Sequence, residues 1–472
     1  MGKKTKKFLI LTGYFKDESY GLLGPQMAAT LISDNTDYDC IVAAVTSEND
    51  KKELRAALNS YFEGQKKLVG FSSLGGRPDL FEFAKELKNE GAVTLLAGPQ
   101  AGPDYKGEIG WESRSHRFKG LSDHFSFALQ GPAQAILPIL KKGIDTDISG
   151  FAGVVIKDET GRIIENLAPS WEDAFLSKVD WKTLHILKAG AFVPLTITTA
   201  QVLQQIGCPH AAREKEIFID YPFALQKKGE PPLFQKIYHK GCSFCDVAVD
   251  KGYMGAIGVA AVREQLICLP QGPDGRKIPF ELINENPLFK LGDIFRLAEE
   301  LAIELSQINL TLRADFLLKG LTRLEEVLET AKQKEVRILL SSIGFESFDD
   351  TVLKNLNKGV DRNTNLEAIK AVRSLKSKYP AHLGYLKEEG ANHGFIHPTP
   401  WDNPEISRQI NQTIAMYQLS LDILPYHSTP LIIHHASGLA DWIRRIEEKE
   451  KIEFQRVGTT IGWWRTNIGS LV

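Results

Sequence analysis

The sequence predicts a two-domain α/β protein: an N-terminal doubly wound, Rossmann-like parallel sheet, followed by a partial (β/α)6 TIM-type barrel. Three observations carry that expectation. The chain has 472 residues, enough for two or three domains. Short apolar runs alternate with helical patterns through residues 1–147, which implies a parallel sheet with helices on both faces. A second alternating region spans residues 191–437, and its count of about six βα units implies an open rather than a closed eight-fold barrel.

In the first domain "KKFLILTGYF" reads as a strand and "LLGPQMAATLISD" has helical spacing. "DCIVAAVT" is a strand, "ENDKKELRAALNSYFEG" a helix and "KLVGFSSLGG" a strand. "PDLFEFAKELKNEG" follows as helix, "AVTLLAGPQAG" and "HFSFALQG" as strands, and "AQAILPILKKG" as helix. In such sheets ligands bind at the carboxyl ends of the strands. The loops there, "SSLGG", "AGPQAG" and "QGPAQ", are small and Gly-rich, so backbone can approach a large flat ligand closely.

Residues 148–190 read as a hairpin and linker. "GVVIKDETGRIIEN" turns at "ETG", and "LAPSWEDAFLSKVDWKTLHIL" is expected to drape over the surface. "FVPLTITTAQ" is the expected first barrel strand. "IPFELINENP", "INLTLRADFL", "RILLSSIGFES", "HLGYLKEEGANHGFIHPTP" and "LDILPYHSTPLIIHH" follow, separated by helical segments such as "LGDIFRLAEELAIELSQ" and "NLEAIKAVRSLKSK". Residues 438–472 read as a charged helical tail ending in "GWWR".

Hydrophobic content of 43% and charged content of 25% are ordinary for a globular protein. A formal net charge of −2 argues against a long basic groove for nucleic acid. No apolar run reaches the length of a membrane span. "MGKKTKKFLILTGYF" reads as a buried first strand and not a signal peptide. Five cysteines in so long a chain do not make a disulfide scaffold; they point to a reducing cytoplasm and to metal or catalytic thiols.

Cys242-Ser-Phe-Cys245 has the spacing of a metal clamp. Disulfide redox, zinc and iron–sulfur chemistry all use CxxC, so the pair alone decides nothing. Its context is more informative. "KGCSFCD" resembles the last two cysteines of the CxxxCxxC motif of cobalamin-binding radical SAM proteins, with Phe244 in the usual aromatic place. "LTLRADFL", "RILLSSIGFESFDDTVLKNLNKGVDRNTNLEAI" and "GFIHPTPW" resemble the third-strand, fourth-strand and post-fifth-strand segments of that family's barrels. "VGFSSLGG", "LLAGPQAG" and "FALQGPAQAILPIL" resemble its cobalamin domain, and "LSKVDWKTL" its linker.

The first cysteine departs from the pattern. Tyr238 stands where it would be, and the preceding thiol is Cys208 in "QIGCPHAAREKE", with Ala212 four residues on. "GCPHAA" resembles the start of the family motif, so the motif reads as split by an insertion at about 212–240, a loop whose closure costs little more per added residue. The expected metal ligands and catalytic residues are Cys208, Cys242 and Cys245. Cys268, Tyr238 and His239 are the other candidates for the third ligand, although Cys268 reads as a core thiol, as does Cys40.

The resemblance implies a [4Fe–4S] cluster held at three corners, with S-adenosylmethionine on the open iron and one-electron cleavage to a 5′-deoxyadenosyl radical. It places Glu285 near the SAM amino group, Arg313 and Asp315 near its carboxylate and ribose, and Glu346 and Ser347 after the fourth strand. Ser72, Ser73, Gly98, Pro99 and Gly131 would hold cobalamin. Ser19 stands where a cobalt-ligating DxHxxG loop would carry histidine, so no lower axial histidine is expected from this loop. His393, His397, His427, His434 and His435 cluster in the last strands as candidates for acid/base or substrate roles. Trp463 and Trp464 are candidates for stacking on substrate or packing on the barrel.

The resemblance implies a cobalamin-dependent radical SAM enzyme, with methyl transfer to an unactivated carbon of a small-molecule or peptide substrate as the leading reaction. An electron donor such as flavodoxin or ferredoxin would serve it. Radical rearrangement or cyclisation without net methylation, a corrin-binding protein with a degenerate cluster site, and a zinc or thiol-redox protein are the alternatives.

Overall fold

The computed structural model describes residues 5–72, 77–98, 124–227, 229, 231–245, 253–422, 428–435, 437–457 and 460–471. Ser73, Pro99 and His427 lie outside the described residues. The chain divides into two compact units, Met1–Gln201 with Gly258–Pro270, and Val202–Ile257 with Gln271–Val472.

The first unit is built on a nine-stranded sheet. Its strands are β1 (Lys6–Gly13), β2 (Tyr38–Val45), β3 (Leu68–Phe71), β4 (Val93–Leu96), β5 (Phe127–Leu129), β6 (Val154–Lys157), β7 (Ile163–Glu165), β8 (Leu184–Lys188) and β9 (Ala191–Pro194). Their order is β7-β6-β5-β4-β3-β1-β2-β8-β9. Phe8, Leu9, Ile10 and Leu11 of β1 are all buried, as a central strand covered on both faces requires. Parallel pairing joins β1 to β2 and β3, β3 to β4, and β4 to β5. The run β2-β1-β3-β4-β5 is the flavodoxin-like order, so the direction of winding reverses between β1 and β3. Leu54 and Leu58 of helix Lys51–Phe62, together with Leu80, Phe83 and Leu87 of helix Pro78–Asn89, pack in one core with Leu9, Val69 and Phe71. Asp50 caps the former helix by accepting from the Lys52 and Glu53 amides at 2.6 and 3.2 Å.

Three expectations change here. The segment expected to drape as a linker contributes β8, which pairs in parallel with β2 because Leu184 and Leu187 of "LHIL" have apolar surface to bury. "FVPL" is not the first barrel strand; it forms β9, an antiparallel partner of β8. Helix Val259–Cys268, expected within the barrel region, belongs to the first unit, where Gln265 donates to the Leu176 carbonyl at 2.8 Å. The hairpin at "ETG" is present as β6–β7.

The second unit contains a six-stranded sheet. Its strands are β10 (Ala200–Leu203), β15 (Phe280–Ile283), β16 (Gln307–Arg313), β17 (Arg337–Glu346) and β18 (Leu383–Gly384), with β19 (Gly394–Phe395) also on β17. Between β10 and β15 lie β11 (Gln205–Gly207), β12 (Glu214–Asp220), β13 (Phe234–Lys240) and β14 (Tyr253–Ala256). The pairs β15–β16, β16–β17, β17–β18 and β17–β19 are parallel, as a partial barrel demands.

The expected strand in "LDILPYHSTPLIIHH" is reduced to β20 (Ile433–His434), with a 3₁₀ turn at Leu419–Leu421. The tail is not wholly helical. Helix Gly438–Glu450 is followed by β21 (Phe454–Val457), β22 (Thr460–Thr466) and β23 (Gly469–Ser470), antiparallel neighbours. β-Branched and aromatic residues in "TTIGWWRT" favour the extended form, and Ile461 and Trp463 lie on its buried side. Among the described residues no helix is long and apolar enough to cross a membrane.

Candidate functional site: two cysteine loops at the barrel edge

The insertion between Cys208 and Cys242 is an antiparallel hairpin. Strands β12 and β13 pair from Glu214↔Lys240 to Asp220↔Phe234, so the chain leaves and returns at one place. Ile219 and Ile237 are buried on one face, while Phe218, Phe234 and Tyr238 stand exposed on the other. The registry that returns Lys240 to Glu214 therefore carries Cys242 back towards the turn that holds Cys208.

That turn, Pro209–Ala211, begins where β11 ends, and the Ala211 amide donates to the Cys208 carbonyl at 2.9 Å. Cys208 and Cys242 are half-buried free thiols, and Cys245 is half-buried as well. Burial pushes the Cys208 thiol up to about 11; Glu285 and Cys242 add to the rise, while the His210 backbone and Arg313 oppose it. Cys208, Cys242, Glu285 and Arg313 are thus electrostatic neighbours.

A single turn, Asn355–Gly359, holds both cysteine loops. His210 Nε2–H donates to the Asn357 carbonyl at 3.0 Å, which fixes the Cys208 side. Asn357 Nδ2 donates to the Gly241 carbonyl at 2.6 Å, which fixes the Cys242 side. Ser243, wholly buried between the paired cysteines, donates from N to Leu356 O at 2.9 Å and from Oγ to Asn355 O at 2.8 Å. Its own carbonyl accepts from the Leu439 amide at 2.8 Å, at the start of helix Gly438–Glu450. Gly359 has φ +70°, and a Cβ there would sit 2.9 Å from His210 Cε1, so this position needs glycine on both counts.

Two cations stand beside the thiols. Arg313, at the carboxyl end of β16, donates from Nη1 to Cys242 Sγ at 3.3 Å, from Nε to Asp315 at 2.9 Å and from Nη2 to the Lys358 carbonyl. Lys358 is buried; its ammonium lies 2.8 Å from Glu346 Oε1 and 6.0 Å from the Phe244 ring centroid. Burial would push that ammonium down, but Glu346 and Cys242 outweigh it and hold its pKa above the ordinary value. Glu346 closes β17 in the left-handed region at φ 61°, a strained conformation for glutamate. Its carboxylate lies over Gly344 and Gly394, where Cβ atoms would come within 2.6 and 2.9 Å of it.

The expected contacts divide accordingly. Glu285 acts electrostatically on Cys208, while Phe244, Glu346 and Arg313 belong to the Cys242 side. Ser347 is corrected: it is wholly buried, and its hydroxyl accepts the Asp349 amide at 3.2 Å, a local cap. Arg313 is held by its surroundings, with one N–H each to Asp315, Cys242 and the Lys358 carbonyl. Tyr238 is exposed and donates to Glu216 at 3.0 Å, and His239 Nε2 bonds the Cys242 carbonyl at 3.0 Å, so neither ring faces the thiols as a ligand. Cys268 belongs to the other unit, and Cys40 is core. His393 is structural: its Nδ1 accepts from the Ile343 amide at 3.0 Å and its Nε2–H donates to Tyr385 O at 2.7 Å. Trp463 packs inside, donating to Leu431 O at 2.8 Å.

Lys358 was not singled out in the sequence. The available signal was "LNKG", a lysine just before a turn glycine.

In the first unit, the winding reversal places a crevice outside the carboxyl ends of β1 and β3. Ser72 sits there, its amide donating to Leu11 O at 2.9 Å and its carbonyl accepting from the Thr12 hydroxyl. Gly98 has φ +79°, and a Cβ there would meet Ser72 Oγ at 2.8 Å. Gly131 is explained by packing, since a Cβ would lie 2.7 Å from that of Ala168. Ser19 is tied down by Thr198, hydroxyl to hydroxyl at 2.6 Å.

The donor set can be tested against an iron–sulfur cluster. Among the described residues, no three His, Cys, Asp or Glu side chains gather round a single ion position. A cluster does not need that arrangement, because it takes its thiolates at separate corners. Arg313 on one thiol and Lys358 nearby supply the positive surroundings that favour thiolate, and a coordinating metal drives the proton from a raised thiol such as Cys208. The surroundings of Cys208 and Cys242 fit such a group.

The chain thus combines a flavodoxin-ordered sheet with a partial parallel barrel that carries cysteines beside its carboxyl edge. Comparison with solved structures agrees on the fold. The cobalamin-dependent S-adenosylmethionine radical enzyme OxsB, with aqua-cobalamin and S-adenosylmethionine bound, superposes with a TM-score of 0.59 at 13% identity, over 96% of this chain and 64% of OxsB. Its form with aqua-cobalamin alone gives 0.56 at 13% identity over the same shares. In sequence, 246 residues are 25% identical to bacteriochlorophyllide d C-12(1)-methyltransferase of Chlorobaculum tepidum, covering 51% of this chain and 49% of that protein. The chain thus spans about half the length of that curated relative and less than two thirds of OxsB. No family model matches the chain.

Proposed function

We propose that this protein is a cobalamin-dependent radical SAM enzyme that transfers a methyl group to an unactivated carbon of a small-molecule or peptide substrate. The observation that carries the reading is the convergence of two separate cysteine loops on the turn Asn355–Gly359, with Arg313 on the Cys242 thiol. The fold shared with OxsB and the partial likeness to a methyltransferase support it.

In this reading Cys208, Cys242 and Cys245 hold a [4Fe–4S] cluster, and Glu285, which acts electrostatically on Cys208, receives the SAM amino group. The Glu346–Lys358 pair forms the charged wall near Phe244. Ser72 and Gly98 flank the corrin crevice. When bound, these groups supply one-electron cleavage of the SAM carbon–sulfur bond and carriage of a methyl group. The protein's part is to position them and keep water out. An electron donor such as flavodoxin or ferredoxin would deliver the electron.

The test is a product assay on protein reconstituted anaerobically with iron, sulfide and hydroxocobalamin, then given SAM and dithionite. 5′-Deoxyadenosine together with S-adenosylhomocysteine is the expected result. 5′-Deoxyadenosine without S-adenosylhomocysteine would replace methylation with rearrangement or cyclisation. Retained corrin with neither product would replace both with a corrin-binding role.

A further inference from the structure

Each of the three nitrogens of Arg313 already has a protein partner. Nε is paired with Asp315 at 2.9 Å, Nη2 with the Lys358 carbonyl, and Nη1 with Cys242 Sγ at 3.3 Å. Its side chain is only 6% exposed, so the fork is fixed by its surroundings. The guanidinium is also 5.2 Å from the centroid of the Phe316 ring, which further restricts its plane. Three separate parts of the chain meet on this one group: the end of β16, the turn before Gly359 and the Cys242 loop.

We propose that Arg313 is a positioning residue that orients the Cys242 thiolate and raises the reduction potential of the cluster bound there. The inference rests on the cluster reading above. Hydrogen bonds to cluster sulfurs are among the levers that set such potentials. The reason is electrostatic. Reduction adds negative charge to the cluster and its thiolates, and a fixed cationic donor on one sulfur stabilises the reduced form more than the oxidised form. A guanidinium whose other two nitrogens are already bonded cannot swing away as the charge changes.

The test uses the full-length chain, reconstituted anaerobically, as parent, Arg313→Gln and Arg313→Lys. Iron content and far-UV circular dichroism establish that cluster and fold are present. The potential is then read by dithionite titration monitored by electron paramagnetic resonance. Arg313→Gln is expected to keep its iron and shift to a more negative potential. A tenfold loss in the reduction equilibrium corresponds to about 59 mV for one electron. Arg313→Lys retains charge but loses the fork, and should fall between the two. Should Arg313→Gln bind iron normally at the parent's potential, the proposal is overturned while the cluster reading stands. If Arg313→Gln cannot hold iron, the Lys variant decides: an unchanged potential there overturns the proposal, and a negative shift supports it. A parent chain without iron overturns both this proposal and the reading beneath it.

Discussion

Replacing Gly359 by alanine should disrupt the proposed cluster site, whereas the same change at Gly275 should not. Both glycines are left-handed, at φ +70° and +82°. An alanine held there costs about 1–2 kcal/mol in backbone conformation. At Gly275 a Cβ meets nothing within 4 Å, so that backbone cost is the whole effect. At Gly359 the Cβ would lie 2.9 Å from His210 Cε1 and 3.8 Å from Arg313 Nη2. His210 must then turn, which breaks its 3.0 Å bond to Asn357 O, worth about 1 kcal/mol. Gly275→Ala should therefore lose about 1–2 kcal/mol and Gly359→Ala about 2–3 kcal/mol. The sharper contrast is functional, because displacing His210 loosens the Cys208 turn. Urea midpoints give the stability difference, and iron per chain after anaerobic reconstitution gives the site. Equal iron retention in the two variants would refute the view that the Asn355–Gly359 turn registers the cysteine loops.

Other outcomes follow from the same geometry. Lys358→Met leaves the Glu346 carboxylate buried without its partner and should destabilise by about 3–5 kcal/mol. The double variant with Glu346→Gln should recover part of that, giving a coupling of about 1–3 kcal/mol in a double-mutant cycle; strict additivity would contradict the pairing. Burial lowers the His393 pKa from 6.5 to about 4. The unfolded chain therefore binds the proton first as pH falls. Stability linked to His393 is intact above pH 6.5, declines between 6.5 and 4, and levels off below, with a total change of about 3 kcal/mol. Urea midpoints across that range should show the decline, and His393→Gln should flatten it.

Much of this fold was legible in the residues because apolar periodicity is a local property. Strands β1–β7 of the first sheet, the three central barrel strands and most helices follow from it. Elements whose burial depends on distant partners were less accessible. "LHIL" is too short to distinguish a linker from a strand until β2 is placed beside it. The tail reads as helical through "DWIRRIEEKEK", and only the pairing of Phe454–Val457 with Thr460–Thr466 shows where the pattern changes to strand.

At the candidate site, the spacing marks the Cys242–Cys245 pair. The proposal for Cys208 needs the idea of an insertion, and the β12–β13 registry supplies the physical means by which the chain can return. Arg313 could be located but not given a partner, because no sequence pattern indicates which group a guanidinium fork will meet. Lys358 was hidden for a similar reason. A lysine in a turn is ordinarily solvated, and its burial here depends on Glu346 and Phe244 converging from elsewhere in the chain.

The measurement that bears most directly on the central claim is iron and sulfide content after anaerobic reconstitution of the parent, Cys208→Ala and Cys268→Ala. The account predicts about four irons per chain in the parent and in Cys268→Ala, as a [4Fe–4S] cluster requires, and a marked loss in Cys208→Ala. Full iron in Cys208→Ala, or loss in Cys268→Ala instead, would contradict a motif divided by the hairpin.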